Sequence, residues 1–145
     1  MTDDRKRFQL LKTVYEATEY WVDDAPGGAF SIHCGKRSPE IDCVLAAMGL
    51  CHWIYITACN PGSQLMSDAE NARRTRDLEA KLRPLPCVIY QGRGVGAVGD
   101  WPPEPSLLVL GLEAWQGLEI AREFGQAAII VGRCGEPARL VWVAV

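Results

Sequence analysis

The stretch that most constrains the fold spans residues 53–71, which read WIYITACNPGSQLMSDAEN. Its first seven residues are mostly β-branched or aromatic, which favours a strand over 53–59, and the letters NPG that follow are typical of a turn. Ser67 and Glu70 then match a capping box, in which the serine accepts from the Glu70 backbone N–H and the glutamate reaches back. We therefore predict a strand, a polar loop and a helix over 67–83.

The predicted elements downstream of residue 53 come in the order strand, helix, strand, strand, helix, strand. This is the order of a ferredoxin-like split βαβ unit, in which right-handed helical crossovers join parallel strands. We therefore predict an α+β fold with a ferredoxin-like split βαβ core over residues 53–132. The strand over 106–111 is mostly apolar, which is typical of a central strand.

The flanking segments extend this core. Residues 15–22 alternate in a strand-like pattern and a second strand follows a turn at 30–34, so we predict an N-terminal hairpin. A last strand is predicted over 140–145. Together they give a mixed, mainly antiparallel sheet with helices packed on it, and a length of 145 residues suits a single domain, 1–145.

A further helix and a glycine-rich segment punctuate the chain. Ser38 followed by Pro39 is a helix start, and Gly49 is the matching end. The letters GRGVGAVG at 92–99 predict a loop or a bulged hairpin. Because they match no phosphate-binding fingerprint, we do not interpret them as a nucleotide site.

Charge and hydropathy limit the expected partners and location. The formal net charge of −3 gives no overall attraction to nucleic acid or to an anionic membrane, so neither partner is expected. The first residues lack the apolar core of a signal peptide, and the longest mostly apolar run, 44–59, falls short of the ~20 residues of a spanning helix. We expect a cytoplasmic protein. The arginines of helix 67–83 have acidic neighbours at pairing distance and are interpreted as a solvated face: Arg73, Arg74 and Arg76.

The six cysteines form no CxxC pair, and most lie in apolar runs, so we expect them to be reduced and buried. The neighbours His33-Cys34 and Cys51-His52 point to opposite faces of a strand, so each pair can supply only one metal ligand. We therefore predict no metal site, and the sequence identifies no cofactor. A contact between His33 and Cys59 across the sheet stays open.

The predicted topology gathers polar residues at one end of the fold. The end of strand 53–59, the start of helix 67–83 and the start of strand 106–111 should lie together there, with residues 124–126 at the opposite end. The helix N-terminus adds free N–H donors and a partial positive charge. The residues that meet at this end are Asn60, Ser63, Ser67, Asn71, Trp101, Glu104 and Ser106.

Glu104 is the candidate catalytic residue. A carboxylate held beside Trp101 tends to have a raised pKa, which suits proton transfer or the binding of an amine; the alternative is an exposed loop glutamate. Asn71 lies on the buried side of its helix, where an unpaired amide is costly, so it either ties loop 60–66 to the helix or orients a ligand. The candidate ligand-binding residues are Asn60, Ser63, Asn71, Trp101 and Ser106.

Three blocks, ITACNPGSQLMSDAEN, WPPEPSLLVLG and FGQAAIIVG, resemble the signature blocks of the bacterial family called domain of unknown function 3293. The resemblance extends over residues 15–143 and implies a small bacterial cytosolic domain. It carries no activity, and Cys59 and Ala127 depart from the commoner pattern, so it assigns no catalytic role to Cys59.

These observations support a small-molecule-binding domain, with an enzymatic role left open and its pocket at the Asn60/Asn71/Glu104 end. The rival hypothesis is a protein-interaction or regulatory domain without catalytic activity. In that case the polar loops and the basic helix would contact a protein partner. A concave pocket shared by Asn71, Trp101 and Glu104 would favour the first hypothesis.

Overall fold

The computed structural model describes residues 2–97 and 101–143, and within them it contains four α-helices, one 3-10 turn and seven strands. The helices are α1 (Thr2–Ala17), α2 (Pro39–Met48), α3 (Asp68–Leu82) and α4 (Ala114–Glu123), and the 3-10 turn is Pro61–Ser63. The strands are β1 (Glu19–Val22), β2 (Phe30–Ile32), β3 (His52–Ile56), β4 (Val88–Val95), β5 (Glu104–Leu110), β6 (Ala128–Arg133) and β7 (Arg139–Trp142).

The α+β class is confirmed, with the strands forming one sheet in the order β2-β1-β4-β5-β3-β6-β7. Every paired ladder is antiparallel, and β5 is the central strand, as its apolar sequence predicted. In the described part of the chain, parallel pairing is confined to one isolated bridge, Cys34↔Ala138, which lies just after β2 and just before β7 and links the two outer edges of the sheet. The sheet is therefore curled until its edges meet, with a concave inner face and a convex outer face.

The two faces are covered by different helices. On the convex face, α3 and α4 pack over aliphatic residues, among them Ile54, Leu78 and Leu107. On the concave face, α2 packs over a cluster that includes Trp53, Tyr55 and Tyr20 of β1. Because alternate residues of β3 point to opposite faces and both faces are covered, residues 53–56 are all apolar or aromatic and buried, and only His52 at the start of the strand is polar.

The alternating pattern of residues 15–22 was misleading at its start, because α1 continues to Ala17. Phe8, Leu11 and Tyr15 recur at helical spacing, and the rings of Phe8 and Tyr15 lie 4.6 and 5.8 Å from the ring of Trp142 in β7. Helix α1 therefore lies across the region where the two edges of the curled sheet meet. The hairpin prediction holds for the shorter strands β1 and β2.

One of the two hydrogen bonds of the capping box predicted at the start of α3 is confirmed. Ser67 accepts from the Glu70 N–H at 3.1 Å, but the Glu70 carboxylate turns to Arg73, which donates to both of its oxygens. Asn71, Leu78 and Leu82 form the buried face of α3, and the predicted burial of Asn71 is confirmed. On α4, in contrast, Trp115 is exposed.

The glycine-rich segment begins as a regular strand rather than a loop, since β4 continues through Val95; residues 98–100 lie outside the described part of the chain. At Gly92 a Cβ atom would lie 2.0 Å from the Trp21 carbonyl oxygen and 2.9 Å from the Tyr55 hydroxyl. Glycine is needed here because the backbone of β1 and the Tyr55 ring approach closely.

The expectation of buried cysteines is wrong for most of them. Only Cys59 is buried; Cys34 and Cys87 are intermediate, and the remaining three are exposed. None of the helices in the described segments is both long enough and apolar enough to cross a membrane.

Candidate functional site

A cleft of about 480 Å³ lies between α1 and the concave face of the sheet. Its walls are mostly aliphatic and aromatic, and its polar groups collect where β3 ends and β5 begins. The antiparallel register pairs Ile56 with Leu107, so the residues that follow β3 lie beside the first residues of β5. Five of the predicted site residues line this cleft or its mouth: Asn60, Ser63, Trp101, Glu104 and Ser106.

Asn60 is the central residue of the polar end. It is 4% exposed and has a left-handed backbone with φ 49° and ψ 59°, a conformation that asparagine adopts more readily than most residues. Its backbone turn directs the chain into the Pro61–Ser63 segment, where Ser63 also has a positive φ of 61°. Two non-glycine residues in this conformation within four positions mark a locally constrained loop.

A clamp of two asparagines holds that loop. Asn71 accepts from the Asn60 N–H at 3.0 Å, and its side-chain amide donates to Asn60 Oδ1 at 2.9 Å. Asn60 Oδ1 also accepts from the Met66 N–H at 2.9 Å. Asn71 is therefore one layer behind the cleft, where it ties the 60–66 loop to α3 and orients Asn60.

The Asn60 amide is directed at Glu104. Its Nδ2 donates to Glu104 Oε2 at 2.6 Å, which completes the chain Asn71–Asn60–Glu104. Glu104 is the first residue of β5 and is partly buried. Burial raises the pKa of the Glu104 carboxyl above its ordinary value, and hydrogen bonds from the side chains of Asn60 and Trp101 partly oppose that rise.

Three tyrosines line the cleft, and none of them was predicted from the sequence as a site residue. Burial raises the pKa of the Tyr15 phenol, a side-chain hydrogen bond with Ser63 lowers it, and the nearby Glu104 charge raises it further. Tyr20 and Tyr55 line the wall, with ring centroids 5.3 Å apart. The helical spacing of Phe8, Leu11 and Tyr15 was the signal that could have placed Tyr15 on α1.

The remaining predicted residues lie as follows. Ser106 is 3% exposed and its hydroxyl donates to the Glu104 carbonyl at 2.9 Å. Trp101 stands at the mouth, 42% exposed. Ser67 caps α3 and is not among the residues that line the cleft.

The prediction that residues 124–126 lie at the opposite end is wrong. Because β6 is antiparallel to β3, the residues that precede β6 lie beside those that follow β3. Gln126 Nε2 donates to the Cys59 carbonyl at 2.9 Å, and the Gly62 N–H donates to the Gly125 carbonyl at 2.9 Å. Gln126 therefore joins the residues that line the cleft.

Arg74 is not part of a solvated face. Its guanidinium donates to the carbonyls of Ala58 and Phe124 at 2.6 and 2.5 Å, which joins the end of β3 to the end of α4. Arg73 is the residue that pairs with acids on the surface, contacting Glu70 and Asp77.

The contact between His33 and Cys59 does not form. β2 is an edge strand, separated from β3 by three strands, and the His33 ring just after β2 contacts the Ser31 hydroxyl. Cys59 instead lies 3.7 Å from the Thr75 hydroxyl and 3.5 Å from the Pro105 carbonyl. Within the described residues, no group of three or more His, Cys, Asp or Glu side chains is arranged to hold a metal ion.

A family model described as "Protein of unknown function (DUF3293)" matches residues 56–129, just over half of the chain. The resemblance is confirmed over this segment, which is shorter than residues 15–143. No curated protein and no solved structure matched the chain. The matched segment contains the Asn71–Asn60–Glu104 chain, whereas the tyrosines of the cleft precede it.

Proposed function

The chain belongs to the family Protein of unknown function (DUF3293), a membership that assigns no activity, and we propose from its geometry that it is a small-molecule-binding domain. The main support for this proposal is the cleft of about 480 Å³, which has mostly apolar walls and one polar end. Ligand sites are typically concave and apolar, with a few fixed polar groups that orient the ligand, and they span about 300–1,000 Å³.

The polar end is preorganised for this role. Asn71 holds Asn60, and Asn60 holds Glu104, before any ligand enters. A ligand that binds to groups already fixed avoids the entropic cost of ordering them. In this proposal Asn71 acts through Asn60 and is a positioning residue, while Asn60, Ser63, Trp101, Glu104 and Ser106 face the ligand.

The order of strands supports a further part of the proposal. Strands β4, β5, β3 and β6 are adjacent in that order, and α3 and α4 are the crossovers. This is the order expected of a ferredoxin-like split βαβ unit. We assign the cleft to the face of that unit opposite α3 and α4, where α1 covers it.

A catalytic role would use Glu104. Its pKa is raised by burial, and a carboxyl group with a raised pKa is better matched to proton transfer near neutral pH. In the rival protein-interaction hypothesis, the polar loops and the basic helix α3, which carries Arg73 and Arg74, contact a protein partner. Because Arg74 is engaged with two backbone carbonyls, the observations favour the small-molecule hypothesis.

The test is to fill the cleft. A Cβ atom at Gly94 would lie 3.8 Å from Thr18 Cγ2 and 4.0 Å from Tyr20 Cδ1, which are ordinary contacts, so Gly94→Leu should place its side chain in the cleft without backbone strain. The probe is N-phenyl-1-naphthylamine, a neutral dye whose fluorescence rises in apolar sites. The wild type should bind it saturably, and Gly94→Leu should weaken binding by about tenfold or more.

The matched control is Gln91→Leu, which adds a leucine to the same strand. Gln91 is exposed and its amide reaches Glu79 on α3, so its side chain lies on the other face of the sheet. The control should bind the dye like the wild type. Equal binding by Gly94→Leu and the wild type, or no saturable binding by either, would contradict the proposal.

A further inference from the structure

Glu104 is the only charged residue among the described residues that line the cleft; the others are apolar, aromatic or neutral polar. A single carboxylate on low-dielectric walls gives the cleft a negative potential, which attracts cations and repels anions. The charge is fixed in place by the Asn60 amide at 2.6 Å.

No protein cation neutralises this carboxylate within the described segments. The ion pairs formed there use other acids, including Glu16, Glu70, Glu79 and Asp23. A partly buried carboxylate without a cation is costly, and an incoming positive charge would recover part of that cost.

The hydrogen-bonding groups of the cleft are mostly acceptors, because their protons are already used. The Tyr20 hydroxyl donates to the Tyr15 carbonyl at 2.5 Å, and the Tyr55 hydroxyl donates to the Trp21 carbonyl at 2.7 Å. Thr57 donates to the Pro105 carbonyl at 2.8 Å. These three hydroxyls keep their lone pairs, and together with the Glu104 carboxylate they suit a ligand that donates hydrogen bonds.

The aromatic walls of the cleft also favour a positively charged ligand. Tyr15, Tyr20, Tyr55 and Trp101 line one cleft, and the faces of aromatic rings attract ammonium groups. An ammonium group offers three donors and a positive charge and has no acceptor.

From this geometry we infer that the ligand is an organic amine, with its ammonium group at Glu104 and an apolar body along the tyrosine-lined wall. The inference rests on the proposed function, since it assigns the ligand class of the same cleft. A carboxylate or phosphate ligand is disfavoured because the cleft offers few free donors and a like charge.

The test uses three probes with the same phenylbutyl body and different head groups: 4-phenylbutylamine, 4-phenyl-1-butanol and 4-phenylbutyrate. Dissociation constants are measured by calorimetry at neutral pH, where the amine is protonated. The wild type should bind the amine about tenfold more tightly than the alcohol, with the carboxylate weakest.

Glu104→Gln should remove the advantage of the amine, so that the amine and the alcohol bind with dissociation constants within about twofold of each other. Glutamine keeps the shape of the side chain and an oxygen that can accept from Asn60 Nδ2, while it removes the charge and replaces the other oxygen with an NH2 donor. The matched control is Glu119→Gln, on the exposed side of α4, which changes the net charge equally and should preserve the order of the three probes.

The outcomes separate the two proposals. If the alcohol binds and Gly94→Leu prevents it, but the amine has no advantage or keeps it in Glu104→Gln, the amine inference is overturned and the binding cleft stands. Tightest binding of 4-phenylbutyrate also overturns it. If none of the three probes binds the wild type, the amine inference fails, and the dye measurement alone then decides whether the cleft binds small molecules. The wild-type series decides the matter even if Glu104→Gln does not fold.

Discussion

The same strands present one surface to α3 and α4 and another to α1 and α2, and the two are packed differently. On the convex face the contacts are aliphatic and close, and a Cβ added at Gly117 would lie 2.9 Å from methyl groups of Ile54 and Ile129. On the concave face, α1 leaves Leu10 65% exposed and a cleft beneath it. The difference teaches that the close-packed convex face stabilises the fold, while the part of the concave face under α1 accommodates a partly buried carboxylate that lowers stability.

The largest expected effect tests the packed face. Leu78→Ala removes a side chain that is 0% exposed on α3, so it should lower the free energy of unfolding by about 2–5 kcal/mol, because the cavity cannot collapse fully. Leu10→Ala on α1 should change it by less than about 0.5 kcal/mol. Urea unfolding monitored by circular dichroism gives both values, and similar losses for the two variants would break the comparison.

A smaller effect locates the boundary between packed and open parts of the concave face. Gly92→Ala places a Cβ against the Trp21 carbonyl at 2.0 Å, a backbone clash that no rotamer relieves, so we expect a loss of about 1–3 kcal/mol. Two residues along the same strand, Gly94→Ala meets only ordinary contacts and should be neutral or stabilising by up to about 1 kcal/mol. Thermal unfolding of the two variants measures the contrast. If Gly92→Ala and Gly94→Ala change the stability equally, the boundary between the packed and open parts of the concave face does not lie between these two residues.

The smallest effect concerns the cost of Glu104 itself. Because its folded-state pKa is raised above the ordinary value of 4.5, the ionised carboxylate lowers stability at neutral pH. That deficit should shrink as the pH falls through the folded-state pKa and disappear below the unfolded value.

The measurement compares the wild type with Glu104→Gln in unfolding experiments between pH 7 and pH 4. The stability of the wild type relative to the variant should increase as the pH falls, since only the wild type loses a penalty. A difference that is constant across this range, or that moves the other way, would show that burial does not control this carboxyl.

Much of the fold followed from local pattern. The caps at Ser38 and Ser67, the glycine at the end of α2 and the apolar runs of β3 and β5 each have a chemical cause within a few residues. The buried position of Asn71 also followed, because helical spacing fixes which residues share a face. Tyr15 was assigned to a strand because it fits both the alternating pattern of residues 15–22 and the helical spacing that begins at Phe8. Its ring contact with Trp142 forms in the helical arrangement.

By itself, the sequence determined the α+β class, the order of elements, and which polar residues follow the end of β3 and lie at the start of β5. Only the tertiary structure decided what those residues face. The antiparallel pairing of β6 with β3 brings Gln126 to the cleft, the curl of the sheet brings tyrosines from α1, β1 and β3 together, and Asn71 is placed behind Asn60. Local chemistry cannot fix these contacts, because they depend on register and curvature between segments that are distant along the chain.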